Sequence, residues 1–322
     1  MEYLANELFL EIFQYCDARD IFHAFYGLNT RFNHLLESLS DLSLVFIRIH
    51  SRKRLHRSIH PHCVQTLTID RFVNIRLQDY SNVRHLKFFS PTREQFDQLE
   101  SIHLPHLEHL HISTNASDHF HLDLFDRYNP GYKIFANGFP NLQSCSLLHI
   151  DLTFMVTEMI QSIQLRFLRL GFLSLKSYQG VLRVCPNLCF LRFNFPRLGG
   201  KPLPKTAHVN LYRLVIDLEG EQITFGEYDL KEYLSCLPNL TRLSIYQNRI
   251  TTDLKSFLRS NWFVKSLPEQ ILPTLRFRYY LFIGSLDQLD ENNDDILNLL
   301  ESNFDHAHGH RGQSKLIFRL HS

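Results

Sequence analysis

The pattern L-x-x-L-x-L, or a close variant, recurs eight times along the chain and limits its fold more than any other feature. It starts at Val64 (with Leu67 and Ile69), Val83 (Leu86, Phe88), Leu107 (Leu110, Ile112) and Leu142 (Cys145, Leu147). It continues at Leu165 (Leu168, Leu170), Leu188 (Leu191, Phe193), Leu211 (Leu214, Ile216) and Leu240 (Leu243, Ile245). The starts at 142, 165, 188 and 211 are 23 residues apart, and the other intervals are 19, 24, 35 and 29. L-x-L places two side chains on one face of a short strand. One such unit cannot bury that face alone, so successive units must stack into a parallel sheet. Proline precedes four of the units, in Leu104-Pro105-His106-Leu107, Phe139-Pro140-Asn141-Leu142, Cys185-Pro186-Asn187-Leu188 and Leu237-Pro238-Asn239-Leu240. Proline ends the preceding helix and starts the next strand. The fold class is therefore α/β, with repeats over 64–322. Residues 272–277 are expected to open a ninth strand and 315–320 to form the last, while 287–305 read as an acidic helix or loop.

Residues 1–41 follow a different period. Leu4, Leu8, Ile12 and Tyr15 recur at helical spacing beside Phe9 and Phe13, with Asn6 as the expected N-cap. Asp17-Ala18-Arg19-Asp20 breaks the pattern. A second helix carries Ile21, Phe22, Phe25 and Leu28, and Asn29-Thr30 opens a third with Phe32, Leu35, Leu36 and Leu39. About forty residues cannot bury three such apolar faces unaided, so a partner is expected to cover part of them.

The segment from Leu4-Ala5-Asn6-Glu7-Leu8 through Ile12-Phe13-Gln14-Tyr15 to Asp20-Ile21 closely resembles the first half of an F-box, and Asn29-Thr30-Arg31-Phe32 resembles its third helix. Ala5 and Ala18 stand where that family usually has proline. The resemblance implies docking of a Skp-type adaptor, and through it a cullin scaffold, by Leu4, Glu7, Leu8, Ile12, Phe13 and Ile21. The later units resemble leucine-rich repeats of the cysteine-containing type. The two together imply a ubiquitin-ligase substrate receptor: a small three-helix F-box (1–41), a basic connecting segment (42–63) and a leucine-rich-repeat solenoid with a curved parallel β-sheet (64–322).

Charge is even overall but segregated along the chain. Lys+Arg 34 against Asp+Glu 33 gives a net charge of +1 over 322 residues, which argues against a globally basic nucleic-acid binder. Yet residues 42–62 hold five bases and no acid, 159–216 nine bases and no acid, and 287–305 seven acids and no base. Such blocks mark surfaces with different tasks. No apolar run reaches membrane-spanning length. The six cysteines form no Cys-x-x-Cys pair, so reduced thiols in the cytosol or nucleus are expected.

Chemistry is sparse. His56, His60, His62 and Cys63 form one histidine cluster and His306, His308 and His310 another, but neither has a four-ligand zinc spacing. No phosphate loop, nucleophile elbow or paired carboxylate sits at a strand end, so no catalytic residue, metal or cofactor is expected. The solvent-facing strand positions are more informative. Phe167 and Phe190 should lie side by side on neighbouring strands, flanked by Arg169, Arg192, Arg213 and Arg242. Aromatic burial plus guanidinium forks suits an acidic or phosphorylated target protein. The competing reading is a repeat-based RNA- or protein-binding scaffold without a ligase link.

Overall fold

The computed structural model describes residues 4–39, 41–46, 61–71, 73, 75–113, 134–135, 138–148, 161–195, 207–219, 232–248, 275–283 and 315–320. The chain divides into two compact units, Met1–Ile150 with Glu158–Leu165, and Asp151–Thr157 with Arg166–Ser322.

The first unit opens with three helices, α1 (Asn6–Phe13), α2 (Ala18–Phe25) and α3 (Thr30–Ser38). Ala5, not Asn6, occupies the N-cap of α1 and offers no side-chain cap. The Asn6 amide oxygen instead accepts from Arg31 Nε at 2.8 Å, while Arg31 also donates to the Leu4 carbonyl. One arginine thereby ties the start of α1 to α3. The Phe9, Phe13, Phe25 and Phe32 rings fill the space between helices, with centroids 5.0 to 6.1 Å apart. Asn29 caps α3, accepting from Phe32 N at 3.0 Å. Gly27, in the turn between α2 and α3, has φ 79°, a conformation that glycine adopts without strain. Leu28 lies beyond α2 and is exposed.

Five parallel strands follow in chain order: β1 (Leu42–Phe46), β2 (Val64–Asp70), β3 (His85–Phe89), β4 (His109–Ser113) and β5 (Ser144–Leu148). The sheet thus begins at Leu42, inside the segment that the sequence reading treats as a connector. The basic residues of that connector from Arg48 to Arg57 lie outside the described residues. Two continuous inward rows, Leu44-Leu67-Leu86-Leu110-Cys145 and Phe46-Ile69-Phe88-Ile112-Leu147, are each 2% exposed or less. Burying one such side chain stabilises the unit by about 1.5–3 kcal/mol, so these rows define the core.

The outer edge of β1 meets the helices. Asp17, which caps α2 by accepting from Arg19 N at 2.8 Å, also accepts from Val45 N at 2.8 Å. Arg19 Nη2 donates to the Val45 carbonyl at 2.6 Å, and its guanidinium lies 5.5 Å from the Phe46 ring centre. Two side chains therefore satisfy both backbone groups of Val45, the fourth of the five residues of β1.

The second unit repeats the plan with β6 (Phe167–Phe172), α5 (Leu175–Val184), β7 (Phe190–Asn194), β8 (Arg213–Glu219), β9 (Arg242–Asn248), β10 (Arg276–Ile283) and β11 (Lys315–Leu320). A short helix of the first unit, α4 (Arg93–Asp97), has a Thr92–Gln95 capping box. All pairs from β6 to β11 are parallel and sequential. Leu168, Leu191, Leu214 and Leu243 form one fully buried row, and Phe193, Ile216 and Ile245 another. Behind them, Tyr178 of α5 donates to the Tyr233 carbonyl at 2.9 Å and Tyr233, in the helical turn 232–234, donates to the Leu173 carbonyl just after β6 at 3.1 Å, so two buried phenols tie these three segments together. His208 is equally constrained. Its Nδ1 accepts from Leu211 N at 3.1 Å, which assigns the proton to Nε2 facing the Cys185 carbonyl at 2.9 Å.

The prolines sit in tight turns. Leu107, Leu142, Leu188 and Leu240 each donate from the backbone N–H to the carbonyl three residues back, at 3.1 to 3.3 Å, with proline second in the turn. In three units the asparagine directly before the first leucine joins one repeat to the one before. Asn141 Nδ2 donates to the Pro105 carbonyl at 2.9 Å, Asn210 to Pro186 at 2.9 Å and Asn239 to Val209 at 2.8 Å.

Candidate binding surfaces

Helix α1 has two apolar faces. Phe9 and Phe13 are 2% exposed and belong to the core of the three helices. Leu4, Leu8 and Ile12, at 41, 45 and 49% exposure, form a stripe at four-residue spacing, continued by Tyr15 and flanked by exposed Glu7. Of the residues matched to the adaptor-binding motif, four are therefore on the surface. Phe13 and Ile21, 2 and 1% exposed, are not; they hold the stripe in place from behind. Tyr26 and Leu28 add exposed apolar area on the same small helical body.

The second surface is the outer face of β6–β10. The register aligns Phe167, Phe190, Arg213, Arg242 and Arg276 in one row across five strands. The next row holds Arg169, Arg192, Val215, Ser244 and Arg278. Phe167 and Phe190 are neighbours, with ring centres 6.4 Å apart, but they differ in exposure. Phe167 is 45% exposed and Phe190 only 8%, because the Arg169 and Arg213 guanidinium groups lie over its ring at 5.8 and 5.1 Å. The expected pair of exposed aromatics is thus one exposed ring and one that props two arginines.

Arg192 is also not free to bind. Its Nε and Nη2 reach the two carboxylate oxygens of Asp217 at 2.6 and 3.0 Å, and Asp217 is 6% exposed. The same guanidinium lies 5.4 Å from the Tyr246 ring centre, and Tyr246 stacks on Tyr280 at 4.3 Å with the rings 2° from parallel. Burial, then the adjoining Tyr280, pushes the Tyr246 phenol above its ordinary range, with Arg192 opposing. Arg276 and Arg278 lengthen the basic face beyond the four arginines read from sequence. Among the described residues Arg242, Arg276 and Arg278 meet no carboxylate. Arg213, Arg242 and Arg276 stand in one row, about 4.8 Å from strand to strand.

The outer face of the first unit is different in character. His85 and His109 stand opposite each other on β3 and β4, with ring centres 4.4 Å apart. Burial and the neighbouring His109 hold His85 below the ordinary imidazole range, with Glu108 acting against them. In the histidine cluster near residue 60, His62 is exposed and Cys63 buried, whereas His56, His60 and the 306–310 histidines lie outside the described residues. So does the acidic block 287–305.

No family model matches the chain, and no curated protein does. Among solved structures, the leucine-rich repeat-containing protein LegL7 from Legionella pneumophila is similar at 13% identity over 79% of this chain and 83% of that one, with a TM-score of 0.41.

Proposed function

We propose that the chain is a non-catalytic substrate receptor of a cullin–RING ubiquitin ligase, working in the cytosol or nucleus. Its helices would bind a Skp-type adaptor, and its repeats would present a target protein to the charged ubiquitin-conjugating enzyme. The observation that carries this reading is the Leu4-Leu8-Ile12 stripe, left exposed beside a face that Phe9 and Phe13 bury in the core of the three helices. A stripe of that kind needs a covering helix or groove, and the F-box resemblance supplies the class of partner. Catalysis in such a receptor is proximity: holding target lysines near the thioester raises their effective concentration. The target chemistry favoured by the Arg213-Arg242-Arg276 row is an acidic or phosphorylated segment.

The test is co-purification of adaptor and cullin with Leu8→Asp/Ile12→Asp beside wild type. Both side chains already face solvent, so the variant keeps its fold, while docking would require burying two unpaired carboxylates. Wild-type recovery of adaptor by the variant overturns the assignment.

The arginine row also favours a second reading, an RNA-binding scaffold. Phosphate-backbone binding weakens steeply with salt, with a slope of log affinity against log salt of roughly one per contact, whereas a target held partly by Phe167 does not. RNA recovered after crosslinking together with a steep slope favours the scaffold.

A further inference from the structure

We propose that His85, His109 and Glu108 form a binding site for a divalent transition metal of the zinc type on the outer face of β3 and β4. The sheet register builds it. His85 and His109 are exact partners across the strand pair, so their rings project from the same face about one strand spacing apart. Glu108 directly precedes β4, and one ligand atom from each of the three side chains lies within 4.8 Å of the other two. Small side-chain rotations bring such a set to the 2.0–2.2 Å bond lengths that zinc takes with imidazole nitrogen and carboxylate oxygen.

Three further features fit this use. Among the described residues neither imidazole makes a hydrogen bond, so the ring nitrogens are not spent on holding the fold. Glu108 Oε1 accepts from Arg84 Nη1 at 2.8 Å, which orients the carboxylate and leaves its second oxygen for another partner. Metal-ligating carboxylates characteristically have such an outer contact. The flanking positions in the same row, Thr66 and Ser144, are small and polar, so the site is open on both sides. Two imidazoles and one carboxylate suit zinc, cobalt, nickel or copper and are poor for calcium or magnesium, which prefer oxygen donors throughout. Three protein ligands leave a fourth position, which a water or a side chain of a bound protein would complete. Two cations flank His85 in sequence: Arg84, adjacent to it and paired with Glu108, and Lys87, two residues along β3, whose flexible chain can swing clear.

The experiment titrates the full-length protein with Co(II), read by visible ligand-field absorption, and with Zn(II), read by calorimetry. Wild type is compared with His85→Gln, Glu108→Gln, Arg84→Ala and a control lacking His306, His308 and His310. Far-ultraviolet circular dichroism confirms folding of each variant. The expected result is one tetrahedral Co(II) per chain, weakened at least tenfold by His85→Gln and Glu108→Gln, weakened less by Arg84→Ala, and unchanged in the control. The proposal is overturned if wild type shows no tetrahedral Co(II) spectrum. It is equally overturned if folded His85→Gln and Glu108→Gln bind as wild type does, or if the control loses the site.

Discussion

Arg192 and Asp217 lie on adjacent strands, two residues out of register, and close on each other through two hydrogen bonds of 2.6 and 3.0 Å. Removing the arginine leaves a carboxylate that is 6% exposed without its cation. Arg192 itself is part-exposed, which moderates the penalty below the value for a fully buried pair. Arg192→Ala should therefore lower the stability of the second unit by about 1–3 kcal/mol, measured by urea unfolding. Arg242→Ala, with no carboxylate partner among the described residues, should change it by less than about 0.5 kcal/mol.

Target capture should follow the opposite order. Each bidentate guanidinium contact to a carboxylate or phosphate is worth roughly 1.5–3 kcal/mol. Arg242→Glu with Arg276→Glu should weaken binding of an acidic or phosphorylated target well over tenfold, with the melting temperature unchanged. Undiminished ubiquitination of that target by the double variant would move the site off this face.

The asparagines directly before Leu142, Leu211 and Leu240 offer a structural test. Asn141, Asn210 and Asn239 each donate to a carbonyl of the preceding repeat. Single Asn→Ala changes should cost about 0.5–1.5 kcal/mol each, the net value of one hydrogen bond. Asn239 is exposed and binds only backbone in this contact, so a larger loss there would show that the repeats act as one cooperative block.

Alkali should destabilise both units. Burial pushes the Cys185 thiol from 9.0 up to about 12 and, with Asp79 adding to it, the Tyr80 phenol from 10.0 up to about 12. Each folded state holds a proton that the unfolded chain would release. The stability this provides is complete below the unfolded value of each group and is lost as pH rises from there toward 12. Melting temperatures should fall across that window, and Cys185→Ala should flatten its lower part. Alkylation of the native protein should reach half-buried Cys16 and Cys189 well before Cys63, Cys145, Cys185 and Cys236.

The strand rows were legible from the sequence because side-chain alternation and strand pairing share one geometry. The 23-residue phase of Leu165, Leu188 and Leu211 becomes the observed alignment of Leu168, Leu191 and Leu214. Leu42-Ser43-Leu44-Val45-Phe46 carries the same alternation but escapes the repeat pattern, because Asp41 stands three residues before Leu44 where the pattern has an apolar residue. The site was less legible. Phe190 and Arg192 occupy outward positions, yet one is covered by arginines and the other is neutralised by a diagonal partner. Asp217 ends the acid-free stretch one residue after Ile216, and only strand packing shows that it faces Arg192. Likewise His85 and His109 are 24 residues apart in sequence and become neighbours through the register.

The contacts of Asp17 and Arg19 with Val45 have a consequence for how the protein can be cut. They occupy the hydrogen-bonding groups that an incoming strand from another molecule would use. Repeats expressed from Leu42 onward would present that edge bare, a template for strand addition between copies. Keeping residues 17–19 in any truncation, or placing a lysine or proline within β1, should suppress that strand addition.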